Sequence, residues 1–179
     1  MIPWIEKMVR IDIEDSPGFL VNRAALRIKK EFHRLLDEAG FAVTPEQCVV
    51  LWQLWNHEGS VQRELASTTF KDMTNLTRIL DGLERRHLVV RRRDKHDRRC
   101  SRIFLTDEGR ALREGILRVA GQLAERAYEG LSEAQMEEFK TMLRLVYANL
   151  NAAPPSAATE TPRHDLHCLD NHEDIPVQR

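Results

Sequence analysis

Cysteine is scarce in this chain, and what there is does not pair. Cys48, Cys100 and Cys168 are three in 179 residues, an odd number with no close spacing. That excludes a secreted disulfide framework and points to a reducing compartment. Long apolar runs are missing as well: no stretch approaches the ~20 residues of a membrane helix. The opening Met1-Ile-Pro-Trp-Ile-Glu-Lys has no apolar block of the signal-peptide kind. A cytoplasmic protein with no membrane partner is expected. There is no glycine-rich phosphate loop, no nucleophile elbow and no helix with paired metal ligands. Neither an enzyme nor a cofactor is therefore expected.

An excess of one charge sign is also absent. The chain has 27 basic and 28 acidic residues, a net charge of -1. That average alone would argue against an anionic partner, but its distribution argues the reverse. Residues 78–102 hold ten basic side chains (Arg78, Arg85, Arg86, Arg91, Arg92, Arg93, Lys95, Arg98, Arg99, Arg102) against four acidic ones. Residues 151–179 hold two basic side chains and five acidic ones. A nucleic acid responds to the local basic patch and not to the sum.

Helix signals fill most of the remainder. A short helix is possible around residues 4–9. Ser16-Pro17 reads as cap and first turn of a long helix over residues 19–39, with Val21, Ala25, Ile28, Phe32, Leu35, Leu36 and Ala39 inward and Gly40 as its left-handed stop. Thr44, Pro45 and Gln47 form a capping box for a second helix carrying Val50, Leu51 and Leu54 inward. Ser60 is the expected cap of a short third helix with Val61 and Leu65 inward, followed by a connector over residues 67–71. Asp72 caps a fourth, ending near Arg86, with Leu76, Leu80 and Leu83 on one side. Leu88-Val89-Val90-Arg91 and Arg102-Ile103-Phe104-Leu105 suit paired strands around the polar tip 93–99. Thr106 starts a fifth helix, with Leu112, Ile116, Ala120, Leu123 and Ala127 on one face. Ser132 and Gln135 make a capping box for a sixth, flanked by Leu131 and Met136 as a staple pair, and Met136, Phe139, Leu143, Val146 and Leu150 repeat at heptad spacing. From Asn151 the composition turns to alanine, proline and acid, as in a disordered tail.

Two short helices followed by a basic hairpin define a winged helix-turn-helix, a mainly α fold with a small β-hairpin. The fourth helix then becomes the recognition helix. Thr74, Asn75 and Arg78 point away from its leucine stripe and can reach base edges in a major groove. Arg91, Arg93, Arg98 and Arg99 belong to the hairpin, whose tip can enter a minor groove; Asp97 would orient an arginine there.

The motifs in this region are Thr77-Arg78-Ile79-Leu80-Asp81-Gly82-Leu83-Glu84, Leu88-Val89-Val90-Arg91, Asp94-Lys95-His96-Asp97-Arg98-Arg99 and Leu105-Thr106-Asp107-Glu108-Gly109. They resemble the MarR (multiple antibiotic resistance regulator) family, and the likeness runs over about residues 19–150. The Asp-Arg-Arg wing followed by Leu-Thr-x-x-Gly is its most specific part. The resemblance implies a homodimer on a pseudo-palindromic operator, usually repressing, and often released by a small aromatic or phenolic effector. It divides residues 1–150 into dimerisation helices (16–40 and 107–150) and a DNA-binding lobe (44–105), with residues 151–179 as the acidic tail. Phe19, Leu131, Met136, Phe139, Leu143, Val146 and Leu150 are then the expected dimer contacts. Phe32, His33, Trp52 and Trp55 are candidates for an effector pocket, with core packing an equally good account of each.

There are two departures from the family pattern. His87 stands where glycine is usual after the recognition helix, and Met73-Thr74-Asn75 replaces the common serine-rich start, which leaves base preference open. Some members sense oxidants with a cysteine near the start of the first helix, where this chain has Gly18-Phe19. Cys100, beside the wing arginines, is the remaining redox candidate, although an ordinary strand residue explains it better. His164, His167, Cys168 and His172 have metal-ligand chemistry but lie in the tail, and no metal is expected there. The competing reading of the chain is a dimeric interaction module that has lost operator binding.

Overall fold

The computed structural model describes residues 13–94 and 101–151. The possible helix at 4–9, the wing tip with Asp97, Arg98, Arg99 and Cys100, and the tail with its histidines lie outside the described residues. A short 3-10 turn at Ile13–Asp15 leads into α1, Pro17–Glu38. Then come α2 (Pro45–Asn56), α3 (Gln62–Thr68), α4 (Met73–Arg85), β1 (Val89–Arg93), β2 (Ser101–Leu105), α5 (Asp107–Ala127) and α6 (Glu133–Asn151). The architecture is thus mainly helical with one two-stranded hairpin, as expected.

Local cap chemistry accounts for most of the helix starts. Ser16 Oγ accepts from the Phe19 N–H, Asp72 Oδ1 from Asn75 and Thr106 Oγ1 from Gly109. Thr44 and Gln47 exchange both bonds of a capping box, and so do Ser132 and Gln135. Gly40, at φ 77°, turns the chain after α1. The third helix departs from expectation: its cap is Val61, not Ser60. Ser60 Oγ bonds back to the His57 carbonyl, and the Ser60 carbonyl accepts from the Ile103 N–H at 3.0 Å. The helix instead starts with the Glu64 carboxylate accepting from the Val61 N–H. Val61 also bridges Arg102, so the segment before α3 lies against the outer edge of β2.

The core lies between α2, α3, α4, the hairpin and the start of α5. Leu51, Leu54, Leu76, Leu80, Leu83 and Ile103 are fully enclosed in it. Ile79 and Val119, outside the expected stripes, are buried as well. Two glycines let α5 seat. A side chain at Gly109 would meet the Leu88 carbonyl oxygen at 2.1 Å, and one at Gly115 would meet the Phe41 ring at 2.3 Å.

α1 packs along α5 and also touches α2. Glu31 holds Arg34 on its own helix and Arg126 on α5, which keeps its carboxyl below the usual range, the Arg34 hydrogen bond contributing most. Only the C-terminal half of α1 (Ile28, Phe32, Leu35 and Leu36) is covered within the chain. Val21, Ala25 and Ala39, expected inward, are exposed, and so is Ala127 near the end of α5. The α6 helix belongs to a separate compact unit. Of its heptad side chains only Met136 is partly covered; Phe139, Leu143, Val146 and Leu150 are exposed, Leu150 to 81%.

Candidate nucleic-acid interface

The orientation of α4 follows from its leucines. Burial of Leu76, Ile79, Leu80 and Leu83 fixes the rotation of the helix, and the 100° step per residue then carries Thr74, Asn75 and Arg78 to the exposed side. Asp72 closes the helix start. Thr77 lies on the same side, where its hydroxyl receives the Gln62 side-chain amide at 2.6 Å and braces α3 against α4. Nothing in the local pattern announced that brace, because it joins residues 15 apart. Asn75, Ile79, Arg78, Asp81 and Arg85 form one wall of an open groove of 440 Å³, and Thr44, Glu46 and Gln47 at the start of α2 form the other.

The basic side chains of residues 78–102 divide into two groups. Arg78, Arg85, Arg86, Arg92 and Arg93 are exposed. Arg92 lies over the Phe104 ring at 5.1 Å, a cation–π contact that leaves the head of the side chain at the hairpin surface. Arg102 donates to the Gly59 carbonyl at 3.0 Å, tying β2 to the end of α2. Arg91, expected among the DNA contacts, is half-buried and paired with Asp81 at 2.6 Å and with Glu84, both on α4. Its backbone N–H also donates to Glu84 at 3.3 Å. These bonds join the hairpin to α4. Arg98, Arg99 and Asp97 lie outside the described residues.

His87 occupies the left-handed region at φ 56°, where glycine was expected to be easier. The turn is held by its N–H donating to the Glu84 carbonyl and by Leu88 donating to the Leu83 carbonyl at 3.0 Å. The His87 carbonyl accepts from the Thr106 hydroxyl, which joins this turn to the start of α5.

The effector candidates separate. Trp55 is half-buried and its indole N–H donates to the Gly109 carbonyl at 3.0 Å, and Phe32 packs on the core. Trp52 is 46% exposed beside Val49 on the outer side of α2. His33 is exposed, 3.8 Å from the Asp37 carboxylate on α1. None of the four lines the groove at α4. Cys48 is a core residue, and burial pushes its thiol up to about 12, so it is no thiolate at neutral pH. Among the described residues no cluster of acidic, histidine or cysteine side chains could hold a metal ion, and no helix is long and apolar enough to cross a membrane.

A link joins α1 to the groove. Lys29 pairs with Glu46 in the first turn of α2. Burial, the largest single influence, would raise the Glu46 pKa; the Lys29 hydrogen bond, a hydrogen bond from the Glu46 backbone and the charges of Lys29 and Lys71 together outweigh it and hold the carboxyl below its ordinary value.

Comparison with known proteins places this arrangement. The MarR family model matches residues 43–101, the segment from the start of α2 into the wing. The organic hydroperoxide resistance transcriptional regulator of Bacillus subtilis (strain 168) is 27% identical over 144 residues, covering 80% of this chain and 93% of that protein. Among solved structures, the transcriptional repressor CouR bound to a 23-mer DNA duplex is 31% identical with a TM-score of 0.69, covering 75% of this chain and 94% of that one. BpsR of Bordetella bronchiseptica, whose DNA binding is regulated by 6-hydroxynicotinic acid, is 26% identical with a TM-score of 0.71, covering 76% and 96%. With a buried leucine stripe that leaves a polar face on α4, a basic hairpin joined to that helix, and a match to three quarters of the chain at 31% identity, the chain belongs to the MarR family of winged helix-turn-helix transcription regulators, and not to an enzyme family.

Proposed function

We propose that this regulator is a cytoplasmic homodimeric repressor that sits on a pseudo-palindromic operator and leaves it when a small aromatic or phenolic effector binds. The observation that carries the DNA reading is the exposed trio Thr74, Asn75 and Arg78 on a helix whose opposite side is wholly buried. Asn can take adenine and Arg guanine, each by two hydrogen bonds in the major groove. Arg93 and the tip residues Arg98 and Arg99, with Asp97 orienting them, would follow the backbone into the neighbouring minor groove.

The dimer reading is supported by apolar side chains that one chain leaves in water. Phe19, Leu131, Phe139, Leu143, Val146 and Leu150 are all exposed, and a soluble monomer seldom tolerates so many. We assign residues 16–40 and 107–150 to dimerisation, 44–105 to DNA binding and 151–179 to a tail. Two half-sites would then be read by two recognition helices. For the effector, the regulation of BpsR by an aromatic acid supports the class. Phe32 and His33 lie on α1 and Trp52 and Trp55 on α2, and the Lys29–Glu46 pair joins these two helices beside the groove that Arg78 lines.

Fluorescence anisotropy against duplexes enriched from a random pool tests the reading. Submicromolar binding is expected, with the salt slope steepening by about 0.9 for each phosphate neutralised. Arg99→Ala should weaken binding across all sequences; unchanged affinity would remove the wing from the interface. A wild-type protein that dimerises and enriches no duplex would favour an interaction module instead.

A further inference from the structure

A short chain of hydrogen bonds ties the start of α3 to the exposed side of α4. Gln62, the first residue of α3, donates its side-chain amide to the Thr77 hydroxyl at 2.6 Å. The Thr77 hydroxyl in turn stands 2.8 Å from the Met73 carbonyl oxygen, one turn back on α4. A carbonyl oxygen only accepts, so the single hydroxyl proton lies between those two oxygens. Thr77 Oγ1 can then only accept from Gln62, and the amide must face it with its nitrogen. The bonds therefore fix which way round the Gln62 amide sits. Thr77 takes one of the two amide N–H groups. The second N–H and the carbonyl oxygen make no hydrogen bond to any of the described residues.

We propose that Gln62 is a further base-reading residue, which takes the edge of an adenine in the operator beside the bases read from α4. This rests on the reading that α4 enters a major groove. Thr77 is one turn on from Thr74 and next to Arg78, and all three are exposed, so the amide stands at the margin of the surface that carries the hydrogen-bonding trio. It offers one donor and one acceptor in a held orientation. Adenine presents the complement in that groove, an acceptor at N7 and a donor at N6, and a glutamine amide takes both. A backbone phosphate has only acceptors and would set the Gln62 oxygen against an anion, so a base edge suits the amide better. Thr77 is then a positioning residue, acting through Gln62. A long side chain already held in place loses less rotamer freedom when it binds.

The test uses the full chain and a duplex that it enriches from a random pool. Each adenine is replaced in turn by 7-deazaadenine, which still pairs with thymine but lacks the N7 acceptor. Wild type should lose about fivefold in affinity at one adenine per half-site, the lower end of what a two-bond base contact discriminates. Gln62→Ala should bind the parent duplex more weakly and lose the sensitivity at that adenine alone, a non-additivity that marks direct contact. Asn75→Ala should keep it. Thr77→Val, which preserves the shape and removes the hydroxyl, should blunt the same sensitivity, and Thr77→Ser, which restores the hydroxyl, should recover it. Uniformly weaker binding by Gln62→Ala, with every 7-deazaadenine effect intact, would overturn the proposal and leave Gln62 a brace between helices. Full sensitivity in Thr77→Val would overturn the role given to Thr77. Wild type that enriches a duplex but shows no adenine dependent on Gln62 would defeat this inference and leave the DNA reading standing. Failure of wild type to enrich any duplex would defeat the DNA reading itself, and this inference with it.

Discussion

The fourth and sixth helices have the same kind of pattern and opposite fates. In α4, Leu76, Leu80 and Leu83 recur at four and three and are all fully buried. In α6, Phe139, Leu143, Val146 and Leu150 recur at four, three and four and are all exposed. Periodicity records that a helix has an apolar side; it does not record what covers that side. For α4 the cover is α2, α3 and the rest of the lobe core. For α6 we propose a second copy of the chain. The N-terminal half of α1, with Phe19, Leu20, Val21 and Leu26 exposed, belongs with α6 in this contrast.

The sharpest way to break the contrast is to damage each stripe. Leu80→Ala should cost about 2–5 kcal/mol, as core leucine truncations do, with a melting loss that persists at high protein concentration. Leu143→Asp should leave the lobe folded and reduce the mass seen by light scattering to one chain, weakening operator binding with it. Concentration-independent, equal destabilisation by both would erase the distinction. Gly109→Ala comes next. Its new methyl meets the Leu88 carbonyl, backbone that cannot swing aside, so a loss of about 1–3 kcal/mol is expected in chemical denaturation.

A smaller effect separates two arginines that look alike in the sequence. Arg91→Ala should lower stability by about 1 kcal/mol, because it frees β1 from Asp81 and Glu84. Arg78→Ala should change stability by less than about 0.5 kcal/mol, yet weaken binding to the enriched duplex. Urea denaturation beside anisotropy distinguishes them. The smallest effect concerns Glu46. Its carboxyl titrates below the ordinary value of 4.5, so the stability it adds is complete above that pH and is lost as pH falls through the depressed value. Glu46→Gln should therefore be slightly less stable than wild type at pH 7, by well under about 1 kcal/mol, with the gap closing in acid.

Much of this fold was legible because its helix boundaries are written locally. Ser16-Pro17, Thr44 with Gln47, Asp72, Thr106 and Ser132 with Gln135 each cap the helix they were expected to cap. What escaped was non-local. Ser60 lost its cap to Val61 because Ile103, 43 residues on, claims its carbonyl. Arg91 is like its neighbours in sequence, because the two carboxylates paired with it come from α4. Trp55 donates its indole N–H to the Gly109 carbonyl on α5, a partner too distant in sequence for local spacing to reveal. In α1, spacing gave one continuous inward face, of which only Ile28, Phe32, Leu35 and Leu36 are covered in the chain. The exposed trio on α4 was readable because a strict leucine stripe fixes the helix rotation.

The central claim is that two copies of this chain read one duplex. Sedimentation equilibrium of the full chain with a labelled duplex enriched from a random pool measures that stoichiometry directly. Two chains per duplex, and two chains in the absence of DNA, are the expected result. One chain per duplex, or a stable dimer that binds no duplex, would contradict it.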